Sequence, residues 1–198
     1  MEKLGDFLRA NIPDLQTRVE ETLEVKLGEI AACPLPQVVD DVLSSEYFRN
    51  LKRWQKTLLE LLCKSVISGI EQFMVSRAGD SAIYYSRAHR LLWYLSDRDM
   101  TQIGLHELTH IAHATLLGIS TYNKDNIPNR IKEGFAVYVA ANIMVNMGME
   151  PFYQDPTYPN RENPKDQNRR YFRQFKEELL SKNISDINGV KDYVLSFS

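Results

Sequence analysis

Residues 97–118 read DRDMTQIGLHELTHIAHATLLG, and the rest of the chain is best understood outward from them. Asp97 or Asp99 can cap a helix, a run follows from Met100 to Leu117, and Gly118 stands where a left-handed C-terminal cap belongs. One helix is therefore predicted. On it His106 and His110 are four residues apart, so their imidazoles project from one face, one turn apart. Both can reach a single zinc ion at about 2.0–2.1 Å and leave other coordination positions open. Glu107 lies about 60° around the helix from His110, from where its carboxylate can take a proton from water without displacing a ligand. The flanking Ile103, Gly104, Leu105, Leu108, Thr109, Ile111 and Ala112 carry no charge, as a helix buried beneath a metal cleft requires.

A hydrolytic zinc site needs a third protein donor and an open position. His113 shares the face of the other two histidines, but seven residues carry it about 10 Å along the axis from His106, too far for one ion. A core or supporting role suits it better. His89 reads more simply as a turn or surface residue. Glu133, in Lys132-Glu133-Gly134-Phe135-Ala136, falls in the early turns of the next apolar helix. A carboxylate among Phe135, Ala136, Val137, Val139 and Ala140 is costly to desolvate without a cation, which an ion supplies. Gly134 is expected to let this helix approach the first closely. The competing reading is an exposed glutamate favoured in a first turn by the helix dipole.

Upstream, Leu4, Phe7, Leu8, Leu15, Val19, Leu23, Leu27 and Ile30 recur at helical spacing, with Pro13 suited to the first turn of a second helix. Leu51, Trp54, Leu58, Leu62, Val66, Ile70 and Phe73 repeat the pattern, so residues 1–78 are predicted as a wholly helical region packed on the same domain. AIYYS and RLLWYLS, between Ser81 and Ser96, read as two strands of a hairpin joined around Arg87-Ala88-His89. Residues 79–149 form the predicted core, with the Glu133 helix running from Pro128 to about Met147 and closed by Gly148. Residues 150–198 are predicted as a long Pro-containing loop and further helical structure, with Tyr171, Phe172, Phe175, Leu179 and Leu180 on an apolar face. The expected fold class is α+β: a mainly helical domain with a small sheet or hairpin over the histidine helix, the arrangement that the zincin-like resemblance described below implies.

Composition narrows the partners. Twenty-four Lys and Arg oppose 26 Asp and Glu, a formal charge of -2, which argues against nucleic acid and anionic lipid as partners. MEKLGDFLRANIPDLQ scatters charges among its apolar residues and no later run approaches a membrane span, so a cytoplasmic protein with no membrane partner is expected. Cys33 and Cys63 lack CxxC spacing, which disfavours both a disulfide framework and a thiolate metal site.

HELTH at 106–110, followed one loop later by EGFA at 133–136, resembles the gluzincin group of zinc metallopeptidases, in size its compact single-domain members. The resemblance spans Ser81 to Met149. It implies one zinc ion on His106, His110 and Glu133, Glu107 as general base, a peptide or protein substrate, and an edge strand above the active-site helix, here RLLWYLS. Relatives commonly take an oxyanion donor, Tyr or His, from beyond the Glu helix. Tyr153 and Tyr158 are preferred for that role over Tyr138 and His113, because they lie in a loop able to cross the cleft. The spacer from His110 to Glu133 is short for the group. Ala136 and Val137 hold no acid, so the carboxylate that orients a zinc-bound His in some relatives is missing there. Asp155, Glu162 or Asp166 could fill the open position and make the protein latent. The alternative function is a non-catalytic zinc-binding regulatory or scaffold protein with a blocked site.

Overall fold

A computed structural model of the chain describes residues 3–35, 52, 55, 57, 76–86, 95–120, 127–151 and 167–197. The first helix, α1 (Lys3–Leu23), buries Leu4, Leu8, Ile12, Leu15, Val19 and Leu23 along one stripe at three- and four-residue spacing. It does not restart at Pro13. Proline inside a helix removes one hydrogen bond and costs about 3 kcal/mol, but Pro13 is on the exposed face, where water can satisfy the Arg9 carbonyl. Burial of the opposite stripe outweighs the loss.

The helix ends where Glu24 takes a left-handed φ of 50°. The Glu20 carboxylate then accepts hydrogen bonds from Gln16 and from the Leu27 amide at 3.0 and 2.8 Å, turning the chain away from the helix axis. Leu27 and Ile30 are therefore not a continuation of the helical face. Strand β1 (Ala31–Pro34) follows instead, and residues 1–78 are not wholly helical.

Two further strands, β2 (Ser76–Ala78) and β3 (Ala82–Tyr85), join it in a sheet whose described strands run in the order β1-β3-β2. β1 runs parallel to β3, with Ala31 opposite Ala82, while β2 runs antiparallel, with Ser76 opposite Tyr85. Among the described residues β2 and β3 form a hairpin. AIYY is its second strand, and the turn lies at residues 79–81, where the Gly79 amide donates to the Ala82 carbonyl at 2.7 Å. In RLLWYLS, Leu95 and Ser96 are not strand, and the remainder lies outside the described residues. SRA has none of the β-branched or aromatic residues that mark strands, so its pairing with β3 had no local signal.

Helix α2 (Asp97–Leu117) is set at both ends by local chemistry. Ser96, rather than Asp97 or Asp99, is the cap: its hydroxyl accepts from the Asp99 amide and the Asp99 carboxylate accepts from the Ser96 amide. Gly118, at φ 64°, closes the helix in the left-handed conformation. Helix α3 (Asn129–Asn146) begins after Pro128, whose carbonyl accepts from Ile131 and Lys132, and ends at Met147 before Gly148 at φ 72°. Helices α4 (Gln167–Ser181) and α5 (Ile187–Leu195) follow.

α2 packs against α1 on one side and α3 on the other, and α3 in turn packs on α4. Leu8 and Leu15 of α1, Leu105 and Leu108 of α2, Ile131 and Phe135 of α3, Phe175 of α4 and Val190 of α5 all belong to one buried cluster. Leu180, expected on the apolar face of α4, is exposed, whereas Phe172, Phe175 and Leu179 are buried. Among the described residues no helix is long and apolar enough to cross a membrane. Among the described residues the architecture is α+β, mainly helical, with a three-stranded mixed sheet.

Candidate metal centre

Because α2 is regular through residues 106–110, one turn separates the two imidazoles and their Nε2 atoms converge to 3.1 Å. The rings stand edge to face, with centroids 4.7 Å apart and planes at 89°. Leu105, Leu108 and Ala112 are buried, and this packing fixes the rotation of α2 and aims the histidine face. Glu133, early in α3, brings its Oε2 to 3.3 Å from His106 Nε2 and to 3.3 Å from His110 Nε2. Among the described residues these three form the one group of metal-ligating side chains found together.

The triangle has the dimensions of a metal site. Four ligands at about 2.0–2.1 Å in a tetrahedron lie about 3.3 Å from one another. The three protein donors are separated by 3.1, 3.3 and 3.3 Å, so one ion fits among them with a fourth position open. Electrostatics agree with the geometry. Burial pushes His110 below its ordinary value of 6.5, against the pull of Glu133, so the ring is neutral and able to ligate. Burial pushes the Glu133 carboxyl up, but hydrogen bonds from His106 and His110 outweigh it and hold the group well below the usual carboxylate range. Two imidazoles and one carboxylate can hold one metal ion.

Glu107 is not part of the donor triangle. Its side chain is buried, 7% exposed, and its Oε1 accepts a hydrogen bond of 2.8 Å from the Ser76 hydroxyl on β2. The sequence held no signal for this contact. Ser76 is 31 residues away, and only the β2–β3 hairpin brings it over α2.

Gly134 behaves differently from expectation. A Cβ at this position would collide with Phe175 Cβ, and would stand 2.8 Å from Phe175 Cγ and 3.0 Å from the Tyr171 carbonyl oxygen. Its open side therefore admits α4, not α2, because neighbouring helical residues point about 100° apart and Glu133 already takes the α2 side. The glycine that lets α2 approach a neighbour is Gly104, against Leu15 and Leu8 of α1.

His113 is fully buried, with its ring edge-on to Phe135 at a centroid distance of 5.2 Å, and is not part of the ligand group. Tyr138 is partly buried and packs against Phe175 at 5.9 Å. His89, Tyr153, Tyr158, Asp155, Glu162 and Asp166 lie outside the described residues. The fold and the site together define a mainly helical α+β protein with a His-His-Glu group able to hold one metal ion. Compared with protein-family models, curated proteins and solved structures, the chain matches none.

Proposed function

We propose that this chain is a zinc-dependent peptidase of gluzincin type, with His106, His110 and Glu133 as ligands and Glu107 as general base. The observation that carries the reading is the donor triangle of 3.1, 3.3 and 3.3 Å beside a buried carboxylate on the adjoining helical position. Two imidazoles and a carboxylate suit zinc, which when bound supplies Lewis acidity to a carbonyl and to water near neutral pH.

The chain's own groups supply the rest. Glu107 takes a proton from the attacking water and returns it to the leaving amine nitrogen, so the same carboxylate serves as base and then acid. Its burial keeps bulk water from competing for that proton. Tyr153 or Tyr158 is proposed to donate to the developing oxyanion, on the sequence pattern alone. The substrate is a peptide or protein, and neither nucleic acid nor membrane is proposed as a partner.

Elemental analysis and turnover on denatured casein test the proposal together. One zinc per wild-type chain is expected, sharply reduced in His106→Ala and Glu133→Ala. Glu107→Gln is expected to keep its zinc and lose roughly 10²–10⁴-fold in turnover. A wild type that holds zinc without cleaving casein would point to a metal-binding scaffold; a wild type without zinc after supplementation would sink the ligand assignment.

A further inference from the structure

A carboxylate in mid-helix cannot reach the free amides of a helix terminus, so a buried Glu107 must find its hydrogen bonds from another element. Among the described residues the donor is Ser76, at 2.8 Å from Oε1. A hydroxyl gives one proton, whereas a carboxylate has about four lone-pair sites on two oxygens. The bond therefore ties down Oε1 and leaves Oε2 to exchange a proton. It also removes rotational freedom about the last side-chain bond, which is the freedom a general base loses with profit.

The support behind Ser76 is a paired strand. β2 is paired with β3, whose Ile83 and Tyr85 are buried, and β3 is paired in turn with β1. The hydroxyl is thus held by the sheet while the carboxylate is held by α2, and the hydrogen bond sets one against the other.

On the peptidase reading above, we propose that Ser76 is a positioning residue for the general base: its hydroxyl fixes Oε1 of Glu107 so that Oε2 is presented to the attacking water. Removing the hydroxyl leaves the ligand triangle intact and loosens only the base. A merely structural serine, in contrast, would change stability without a selective effect on the chemical step.

The test measures zinc content, kcat and KM on a quenched fluorogenic peptide for the zinc-loaded full chain, comparing wild type, Ser76→Ala, Ser76→Cys, Ser76→Thr, Glu107→Gln and the Ser76→Ala/Glu107→Gln pair. Ser76→Ala is expected to lower kcat roughly 10- to 100-fold, as befits a hydrogen bond to a charged group, with KM and zinc content unchanged. Ser76→Cys, a near-isosteric but weak donor, follows the same direction if the alanine variant fails to fold, and Ser76→Thr restores turnover. In the Glu107→Gln background Ser76→Ala has no further effect on kcat. The metal-free protein gives an independent readout: the Glu107 carboxylate stretch, isolated as the infrared difference between wild type and Glu107→Gln, shifts in Ser76→Ala. With an active wild type, an unchanged kcat, an equal loss in the Glu107→Gln background or an unshifted carboxylate band overturns the role of Ser76 alone. A zinc-loaded wild type without turnover on peptides or casein overturns the peptidase reading and the role of Ser76 within it.

Discussion

Each of the two helices that carry the candidate ligands is gripped from behind at a glycine near one of them, but the two grips differ in kind. Gly104, two residues before His106, faces the methyl ends of Leu15 and Leu8 on α1. Gly134, one residue after Glu133, faces the Cβ of Phe175 and the Tyr171 carbonyl on α4. Leucine tips can rotate away, whereas a Cβ and a backbone oxygen move only with their helix. The difference teaches that Glu133 is placed by a backbone-level contact between α3 and α4, while the histidine helix rests on adjustable side-chain packing.

The largest expected effect follows at the α3–α4 contact. Phe175→Ala should cost about 3–5 kcal/mol, since the ring is fully buried and contacts Phe135, Tyr138 and Tyr193. Gly134→Ala should cost about 2–3 kcal/mol from overpacking, after the gain in helix propensity of up to about 1 kcal/mol is set against it. Because the collision is with Cβ, which alanine retains, Phe175→Ala should not relieve it. Denaturant unfolding of the two single variants and the double variant checks this, and strong relief in the double variant would show that the ring, not the backbone spacing, sets the contact. Zinc affinity should also fall in Gly134→Ala, by roughly tenfold, as Glu133 is carried out of register.

A smaller effect is expected at α1–α2. A Cβ on Gly104 would stand 2.8 Å from Leu15 Cδ1 and 3.3 Å from Leu8 Cδ2, a crowding that rotamer shifts can absorb. Gly104→Ala should therefore lie within about 1 kcal/mol of wild type, overpacking and helix propensity nearly offsetting each other. Leu15→Ala should couple favourably to it, by about 0.5 kcal/mol or more, because the contacting atom is removed. Equal, uncoupled losses at both glycines would erase the contrast between the two grips.

Acidification acts on the ligands themselves. The folded-state value of His110 lies below 6.5, so as pH falls below 6.5 the unfolded chain takes up this proton before the folded chain does. The metal-free protein should lose stability as pH falls from 6.5 toward that lower value, and the depressed Glu133 carboxyl should add a further loss below about its ordinary 4.5. Bound zinc should shift the loss to lower pH, since protons and metal compete for the same nitrogen atoms. Thermal melts across this range, with and without zinc, test the order. A metal-free protein whose stability is flat between about pH 7 and pH 5 would contradict the lowered folded-state value of His110.

What the sequence determined by itself is local. Residues 96–118 carry their own start and stop signals, a charge-poor packing face and two histidines at helical spacing, all within the range of a few helical turns. Glu133 was legible at one further remove, as a carboxylate in an apolar helix and as part of the EGFA resemblance. The structure does bring Glu133 to the two histidines, but not for the reason expected: Gly134 accommodates α4, not α2. Tertiary structure alone decided the rest. The strand Ser76–Ala78 has no strand-like composition, and its pairing with Ala82–Tyr85, the parallel addition of Ala31–Pro34, and the Ser76–Glu107 bond all join parts whose affinity for one another is not written in either part. A periodicity shows which face of an element is buried, because burial repeats with the geometry of that element; which partner covers that face depends on shape and hydrogen bonding across long chain separations, and those exist only once the chain has folded.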